Sequence, residues 1–128
     1  MGSEPLLSEA FDHSRVTPLR HTVASAAERA GLRGERLDDF VVAVNELLTN
    51  AVRHGGGAGH VTLWRSGASV VCEVSDTGAG LRLPDRPARP TPDTPGGWGL
   101  WLAEELTDEL EIKSGEAGTA VRIISRVI

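Results

Sequence analysis

The spacing of apolar residues predicts a strand and then a helix at the start of the chain. A short apolar run at 6–11 favours a strand, and Thr17-Pro18 is typical of the first turn of a helix. Gly31 is a plausible stop for that helix. The residues that recur at helical spacing between these two points are Leu19, Val23, Ala26, Ala27 and Ala30.

A second amphipathic pattern predicts a longer helix that begins near Arg36 and ends at Gly55-Gly56-Gly57. Asp38 and Asp39 are expected in its first turn, where negative charge stabilises the N-terminal end of a helix. The predicted core-facing stripe consists of Leu37, Val41, Val44, Leu48 and Val52.

Alternating apolar and polar residues then predict strands at 60–65 and 70–75, joined by a turn at 66–68. A helix is expected at 100–106. Two closing strands are expected at 109–114 and 119–127, around the turn Gly115-Glu116-Ala117-Gly118.

Residues 81–96, here called the proline-rich segment, hold five of the chain's seven prolines. Proline lacks a backbone N–H and fixes its own φ, so these residues exclude regular helix and central strand. A long segment of this kind between regular elements is usually a lid over a site or a disordered insert.

Composition narrows the class of protein. The length of 128 residues indicates one domain over 1–128, and the net charge of −5 argues against nucleic acid as the main partner. Cys72 is the only cysteine, so no intrachain disulfide forms; a buried packing role is expected for it. No apolar run is long enough to cross a membrane and no signal-peptide pattern is present, which favours the cytoplasm.

Glu46, Asn50 and His54 follow one another at four-residue steps, which places them on one stripe of the second helix. The Asn50 carbonyl oxygen is a suitable Mg²⁺ ligand, because magnesium keeps most of its waters and needs one or two protein oxygens. Glu46, one turn earlier, is placed to take a proton from a hydroxyl that attacks a γ-phosphate. Taken alone, the same stripe also fits a solvated helix face.

Three later features would complete a nucleotide site. Asp76 follows an apolar strand and precedes Thr77-Gly78-Ala79-Gly80, where a carboxylate can accept a hydrogen bond from an exocyclic amine and Gly78 and Gly80 allow a tight turn. Gly97-Trp98-Gly99-Leu100 opens a helix whose free N–H groups can bind an anion. Thr119 can add a hydroxyl. A plain turn, a glycine hinge and an ordinary strand threonine are the competing interpretations. No Walker A motif is present.

Together these residues resemble the ATP-binding domain shared by gyrase, histidine kinases, MutL and a heat-shock chaperone, the GHKL or Bergerat fold. Residues 46–54 resemble its N box, 76–80 its first glycine box, 97–100 its second and 118–119 its last. The resemblance implies an α/β two-layer sandwich with a mixed, mainly antiparallel sheet and helices on one face. It makes the proline-rich segment the ATP lid.

Within that superfamily the chain is most similar to small stand-alone bacterial anti-sigma-factor serine kinases. Their sequence motif Glu-Leu-x-Thr-Asn-Ala-x-Arg-His-Gly is closely matched at 46–55. By this resemblance the cofactors are ATP and Mg²⁺, Glu46 is the general base, Asn50 holds the magnesium and Asp76 binds the adenine amine. The remaining nucleotide-site residues would be Arg53, His54, Gly78, Gly80, Gly97, Trp98, Gly99, Leu100 and Thr119.

The resemblance also implies partners: a sigma factor and an anti-anti-sigma antagonist that carries the phosphorylated serine. It leaves homodimer formation open. Two alternatives stand beside the kinase. One is a nucleotide-gated binding module in which ATP orders the proline-rich segment with negligible turnover. The other is a protein that has kept the fold but lost its nucleotide affinity.

Overall fold

The regular elements alternate between strands and helices along the chain. The computed structural model describes residues 5–54, 57–76, 98–115 and 118–127. The elements are β1 (Leu7–Asp12), a 3-10 turn (His13–Arg15), α1 (Val16–Arg29), α2 (Gly34–His54), β2 (Ala58–Ser66), β3 (Ser69–Asp76), α3 (Trp98–Glu105), β4 (Glu109–Gly115) and β5 (Gly118–Arg126). Each predicted element is confirmed, with ends that differ from the predicted ones by one or two residues.

The five strands form one sheet in the order β1-β2-β3-β5-β4. The strand pairs of the described residues are all antiparallel. The predicted two-layer α/β sandwich with a mainly antiparallel sheet is therefore confirmed. The parallel pairing that a mixed sheet requires does not occur among these strand pairs.

All three helices cover the same face of the sheet. α1 packs against β1 and β2, α2 lies across β2, β3 and β5, and α3 packs against α2 beside β4. Alternate strand residues point into this layer because side chains alternate between the two faces of a strand. The inward residues of the central strands are buried, among them Val61, Leu63, Val70, Cys72, Val74, Val121 and Ile123.

Two glycines sit where the backbone needs a left-handed conformation. Gly67 has φ +59° in the two-residue loop between the paired residues Ser66 and Ser69, which confirms the predicted hairpin turn. Gly31 has φ +117° just beyond α1, and the Arg65 guanidinium donates to the carbonyl of Ala30 at 2.6 Å. A glycine and an arginine thus close the C-terminal end of α1.

The start of α2 differs from the prediction. The helix begins at Gly34, so Glu35 is the acidic residue of its first turn. Asp38 and Asp39 lie one turn further along, and the prediction that they occupy the first turn was wrong. The local pattern misplaced the start because an N-terminal glycine is a weak signal in sequence.

The core-facing side of α2 is also wider than predicted. Val44 and Leu48 are fully buried as expected, whereas Val41 is only half-buried and Leu37 and Val52 pack at the edge of the core. The physical reason is that α2 contacts the sheet, α1 and α3 at once. The buried residues that the predicted stripe left out are Phe40, Ala43, Leu47 and Ala51.

Cys72 is fully buried in β3, and burial raises the pKa of its thiol well above the ordinary value because an ionised sulfur loses its hydration there. Its predicted packing role is confirmed. The proline-rich segment lies outside the described residues, as do Gly78, Gly80 and Gly97.

Candidate functional site

One end of the sheet collects the strand residues of the predicted site. β3 ends at Asp76, β5 begins at Gly118, and Asp76 is the register partner of Thr119. Asp76 is two residues beyond the inward-facing Val74, and Thr119 is two residues before the inward-facing Val121. Both therefore lie at inward register positions, on the face that the helices cover. The pairing joins two residues that were both predicted to belong to the nucleotide site.

The C-terminal end of α2 reaches the same end of the sheet. Three residues separate His54, the last of α2, from Ala58, the first of β2. Four backbone steps span at most about 14 Å. Because β2 runs antiparallel to β3, the start of β2 lies beside the end of β3. Asn50, one helical turn before His54, is therefore at the end of the molecule that carries Asp76.

The N-terminus of α3 is placed by its contact with α2. A Cβ built on Gly99 would fall 2.8 Å from Oε1 of Glu46 and 3.9 Å from its Cβ and Cδ. The Glu46 side chain therefore lies against the backbone of Gly99, at the second residue of the helix. The free N–H groups and the positive dipole end of a helix are in this first turn, so the carboxylate is well placed electrostatically.

The exposure of these residues suits a site that opens to solvent. Glu46 and Asn50 are half-buried, while Arg53, at the end of the helix, is exposed. Leu100 is partly buried and packs against the hydrophobic core, which holds the first turn of α3 in place. Asp76 and Thr119 are half-buried. The site thus has a packed base and an accessible side.

The structure brings together part of the predicted set. Glu46 and Gly99 are in contact, Asp76 and Thr119 are paired, and topology places Asn50 and Arg53 at the same end. Trp98 is the first residue of α3, and His54 is the last of α2. The predicted residues that lie outside the described part of the chain are Gly78, Gly80 and Gly97.

These groups fit Mg-ATP by the chemistry of their donors. The Asn50 amide oxygen is a neutral hard ligand, and magnesium needs few such ligands because waters and phosphate oxygens complete its shell. Gly99 has no side chain at the point where the helix start meets Glu46, and the free N–H groups of a first helical turn are suited to bind an anion.

Glu46 and Gly99 belong to separate sequence motifs, and their direct contact was not predicted. A local signal for such a contact does not exist, because the two residues come from distant parts of the chain and meet only when α3 packs on α2. Gly99 was predicted to shape the nucleotide pocket and the phosphate loop, with a plain glycine hinge as the competing interpretation.

The described helices include none that is both long and apolar enough to cross a membrane.

Comparison with known proteins identifies the family. A family model for the histidine kinase-like ATPase domain matches residues 10–125. The chain is 31% identical over 116 residues to an anti-sigma F factor of Clostridium acetobutylicum, a match that covers 84% of this chain and 80% of the relative. It is 30% identical to the serine-protein kinase RsbW of Bacillus licheniformis, with 84% of this chain and 78% of the relative covered.

Solved structures agree on the fold. The RsbU and RsbW domains of a Mycobacterium tuberculosis protein align with 96% of this chain at a TM-score of 0.72 and 24% identity. This chain spans 32% of that longer chain. The histidine kinase domain of the E. coli osmosensor EnvZ aligns with 99% of this chain and 92% of its own length, at a TM-score of 0.50 and 20% identity. The chain belongs to the histidine kinase-like ATPase domain family, among relatives that include anti-sigma factors and RsbW serine-protein kinases.

Proposed function

We propose that this chain is an ATP- and Mg²⁺-dependent protein serine kinase that phosphorylates an anti-anti-sigma antagonist and also binds a sigma factor, in the cytoplasm. Similarity to an anti-sigma factor supports the binding of a sigma factor, and similarity to serine-protein kinases supports the kinase activity. The observation that carries it is the Glu46 carboxylate against Gly99, at the N-terminus of α3. A proton acceptor stands there beside backbone N–H groups that suit phosphate.

Glu46 is assigned as the general base. In the proposed step, its carboxylate accepts the proton of the attacking serine hydroxyl while the serine oxygen bonds to the γ-phosphorus. The bond from that phosphorus to the bridging oxygen breaks, and ADP leaves. Phosphoryl transfer depends mostly on positioning and on charge stabilisation, so a fixed acceptor next to the phosphate site is the contribution a protein can make.

The other residues are assigned to binding. Asn50 holds magnesium, which neutralises phosphate charge when bound, and Asp76 accepts a hydrogen bond from the adenine amine. Thr119, the register partner of Asp76, lies at the same rim. The pocket and its border are assigned to Arg53, His54, Gly78, Gly80, Gly97, Trp98, Gly99 and Leu100.

The test separates catalysis from binding. Glu46→Gln keeps the size of the side chain and removes its basicity, so transfer of labelled phosphate to candidate antagonist proteins should fall by about 10² or more. The Kd for Mg-ATP, measured by calorimetry, should stay within about threefold of the wild-type value, because Glu46 is assigned to the transfer step and not to ATP binding. Glu109→Gln, an exposed residue of the edge strand β4, is the matched control. Transfer at the wild-type rate by the Glu46 variant would refute the base assignment.

A second function of a different class, a nucleotide-gated binding module, is favoured by the five prolines between β3 and α3. In this case Mg-ATP changes the affinity for a sigma factor without turnover. Pull-downs with and without Mg-ATP, combined with the assay of labelled phosphate transfer, distinguish the two when both are applied to wild type and to Glu46→Gln. The module predicts gated binding in both proteins and no transfer in either, whereas the kinase predicts transfer by wild type alone.

A further inference from the structure

The end of the molecule opposite the candidate nucleotide site contains a polar cavity of about 260 Å³. α2 and α3 run antiparallel, because Glu46 meets Gly99 at one end of the pair and Arg36 meets Asp108, just beyond α3, at the other. Asp39 and Asn50 are eleven residues apart on α2, which is about 16 Å along the helix axis. The cavity is lined by Glu35, Arg36, Asp39, Glu105, Leu106, Thr107, Asp108 and Ser125.

The charge of this cavity is strongly unbalanced. Four carboxylates and one guanidinium line it. The guanidinium of Arg36 is already engaged, since it donates to Asp108 at 3.1 Å and to the carbonyl of Arg126 at 3.4 Å. Asp108 also accepts from the Arg126 backbone N–H at 2.7 Å. Arg36, the guanidinium that lines the cavity, is therefore paired with Asp108, one of the four acids.

The other three carboxylates are available to a ligand. Within the described part of the chain, Glu35, Asp39 and Glu105 form no ion pair. Glu105 is the last residue of α3, where the negative end of the helix dipole adds to the same sign of potential. An uncompensated negative cluster of this kind attracts a positively charged group.

Ser125 is an independent sign of a ligand. It is 3% exposed, although serine is usually a surface residue, and it follows Val121 and Ile123 on the inward face of β5. Its hydroxyl makes no hydrogen bond to the residues that the structure describes, yet it lines the cavity. A buried hydroxyl normally finds a partner, and a ligand in the cavity can supply one to Ser125.

Size and geometry define the chemistry of the ligand. The volume is below the roughly 300–1,000 Å³ of sites for drug-sized molecules, so one side chain or a small cation fits better than a nucleotide. Among the described residues no three acidic, histidine or cysteine side chains lie where they could share one metal ion. Acceptors that are spread around a cavity suit a planar guanidinium, which has five N–H donors pointing outward.

We propose that this cavity binds an arginine side chain presented by a protein partner. The guanidinium would donate to the carboxylates of Asp39 and Glu105 and to the hydroxyl of Ser125. Leu106 would contact the aliphatic part of the side chain, because long basic side chains carry an apolar stem. The site lies at the other end of α2 from the proposed kinase site and does not depend on nucleotide binding.

The first experiment uses the full chain and a blocked arginine. Amide NMR spectra are recorded during titration with N-acetyl-arginine methylamide, and saturable shifts are expected at Leu106, Thr107 and Ser125. The neutral isostere N-acetyl-citrulline methylamide should produce no saturable shift there, and the blocked lysine should bind at least threefold more weakly. Equal binding of the citrulline compound, or the absence of saturation with the arginine compound, overturns the proposal.

Variants then test the assignment of residues. Asp39→Asn combined with Glu105→Gln should weaken binding of the arginine compound at least tenfold. Glu28→Gln, an exposed carboxylate on α1 away from the cavity, should leave the Kd unchanged. Ser125→Ala is a second variant, which serves as the test if the double variant does not fold. It removes one hydroxyl and should weaken binding measurably. Wild-type affinity in the acidic double variant, or in Ser125→Ala, contradicts the site as described.

Discussion

Glu46 and Gly99 form a steric pair: the carboxylate of the first occupies the space that a side chain on the second would need. A methyl group at position 99 would lie 2.8 Å from Oε1 of Glu46, inside normal contact distance. The obstructing atom is the far end of a flexible side chain and not a backbone atom. A substitution at position 99 would therefore move the proposed base without disrupting the fold.

Gly99→Ala is expected to lower phosphoryl transfer at least tenfold while the protein remains folded. Alanine favours helix over glycine by up to about 1 kcal/mol, so the free energy of unfolding should not fall by much. Thermal unfolding and transfer of labelled phosphate are the two measurements. The double variant with Glu46→Gln tests the mechanism: if Gly99 acts through Glu46, adding Gly99→Ala to Glu46→Gln should reduce transfer little further. Fully multiplicative losses would contradict the coupling.

Gly59→Ala is expected to destabilise the protein by about 1–3 kcal/mol, the usual effect of overpacking. A Cβ at this position would lie 2.6 Å from the Ser75 carbonyl oxygen and 2.9 Å from a ring carbon of buried Phe11. Neither a backbone atom in a sheet nor a core ring can move freely. Urea denaturation measures the change. The neighbouring exposed Ala58, changed to Ser, should alter stability by less than about 0.5 kcal/mol.

Asp76→Asn is expected to raise the Kd for ATP at least tenfold, because the amide has one acceptor oxygen and no charge where the carboxylate has two and a full charge. Calorimetry with Mg-ATP measures this. Ser75→Ala is a close control, since residue 75 is adjacent in β3 but points to the opposite face of the sheet. Equal affinity of Asp76→Asn and wild type would remove Asp76 from the adenine site.

Cys72 is expected to resist thiol reagents in the native protein and to react fully in denaturant. The raised pKa of the buried thiol keeps it protonated, and the thiolate is the reactive form. In the unfolded chain the same thiol ionises near its ordinary pKa of 9.0, so this group contributes stability below that pH and reduces it as pH rises further. Ellman's reagent with and without guanidinium, and unfolding curves at pH 8 and 10, are the checks. Fast native labelling would contradict the burial.

The pH effect has a matched control. Cys72→Ala would also open a cavity in the core, whereas Cys72→Ser keeps the volume close to constant and does not ionise in this range. The difference in stability between pH 8 and pH 10 should therefore be smaller in Cys72→Ser than in wild type. An equal difference would assign the alkaline loss of stability to other groups.

The local sequence pattern predicted helix faces and inward strand residues correctly wherever the neighbours of a residue in sequence are also its neighbours in space. The four-residue spacing of Glu46 and Asn50 predicted a shared helix face, and alternation in β2 and β3 predicted which residues point inward. The pattern was a poor guide to the width of the buried face of α2. Phe40, Leu47 and Ala51 are buried because α1, α3 and the sheet surround the helix, and that number of neighbours is a property of the fold.

The order and type of the elements, the family and the set of residues proposed to bind ATP could all be predicted from the amino-acid sequence, because they depend on periodicity and on short motifs. Which of those residues are in contact depends on the three-dimensional packing. It set Glu46 against Gly99, paired Asp76 with Thr119, and brought Ser125 to the acidic cavity at the far end of α2. Such contacts join residues distant in the chain, and only the packing of helices on a sheet fixes the distance between them.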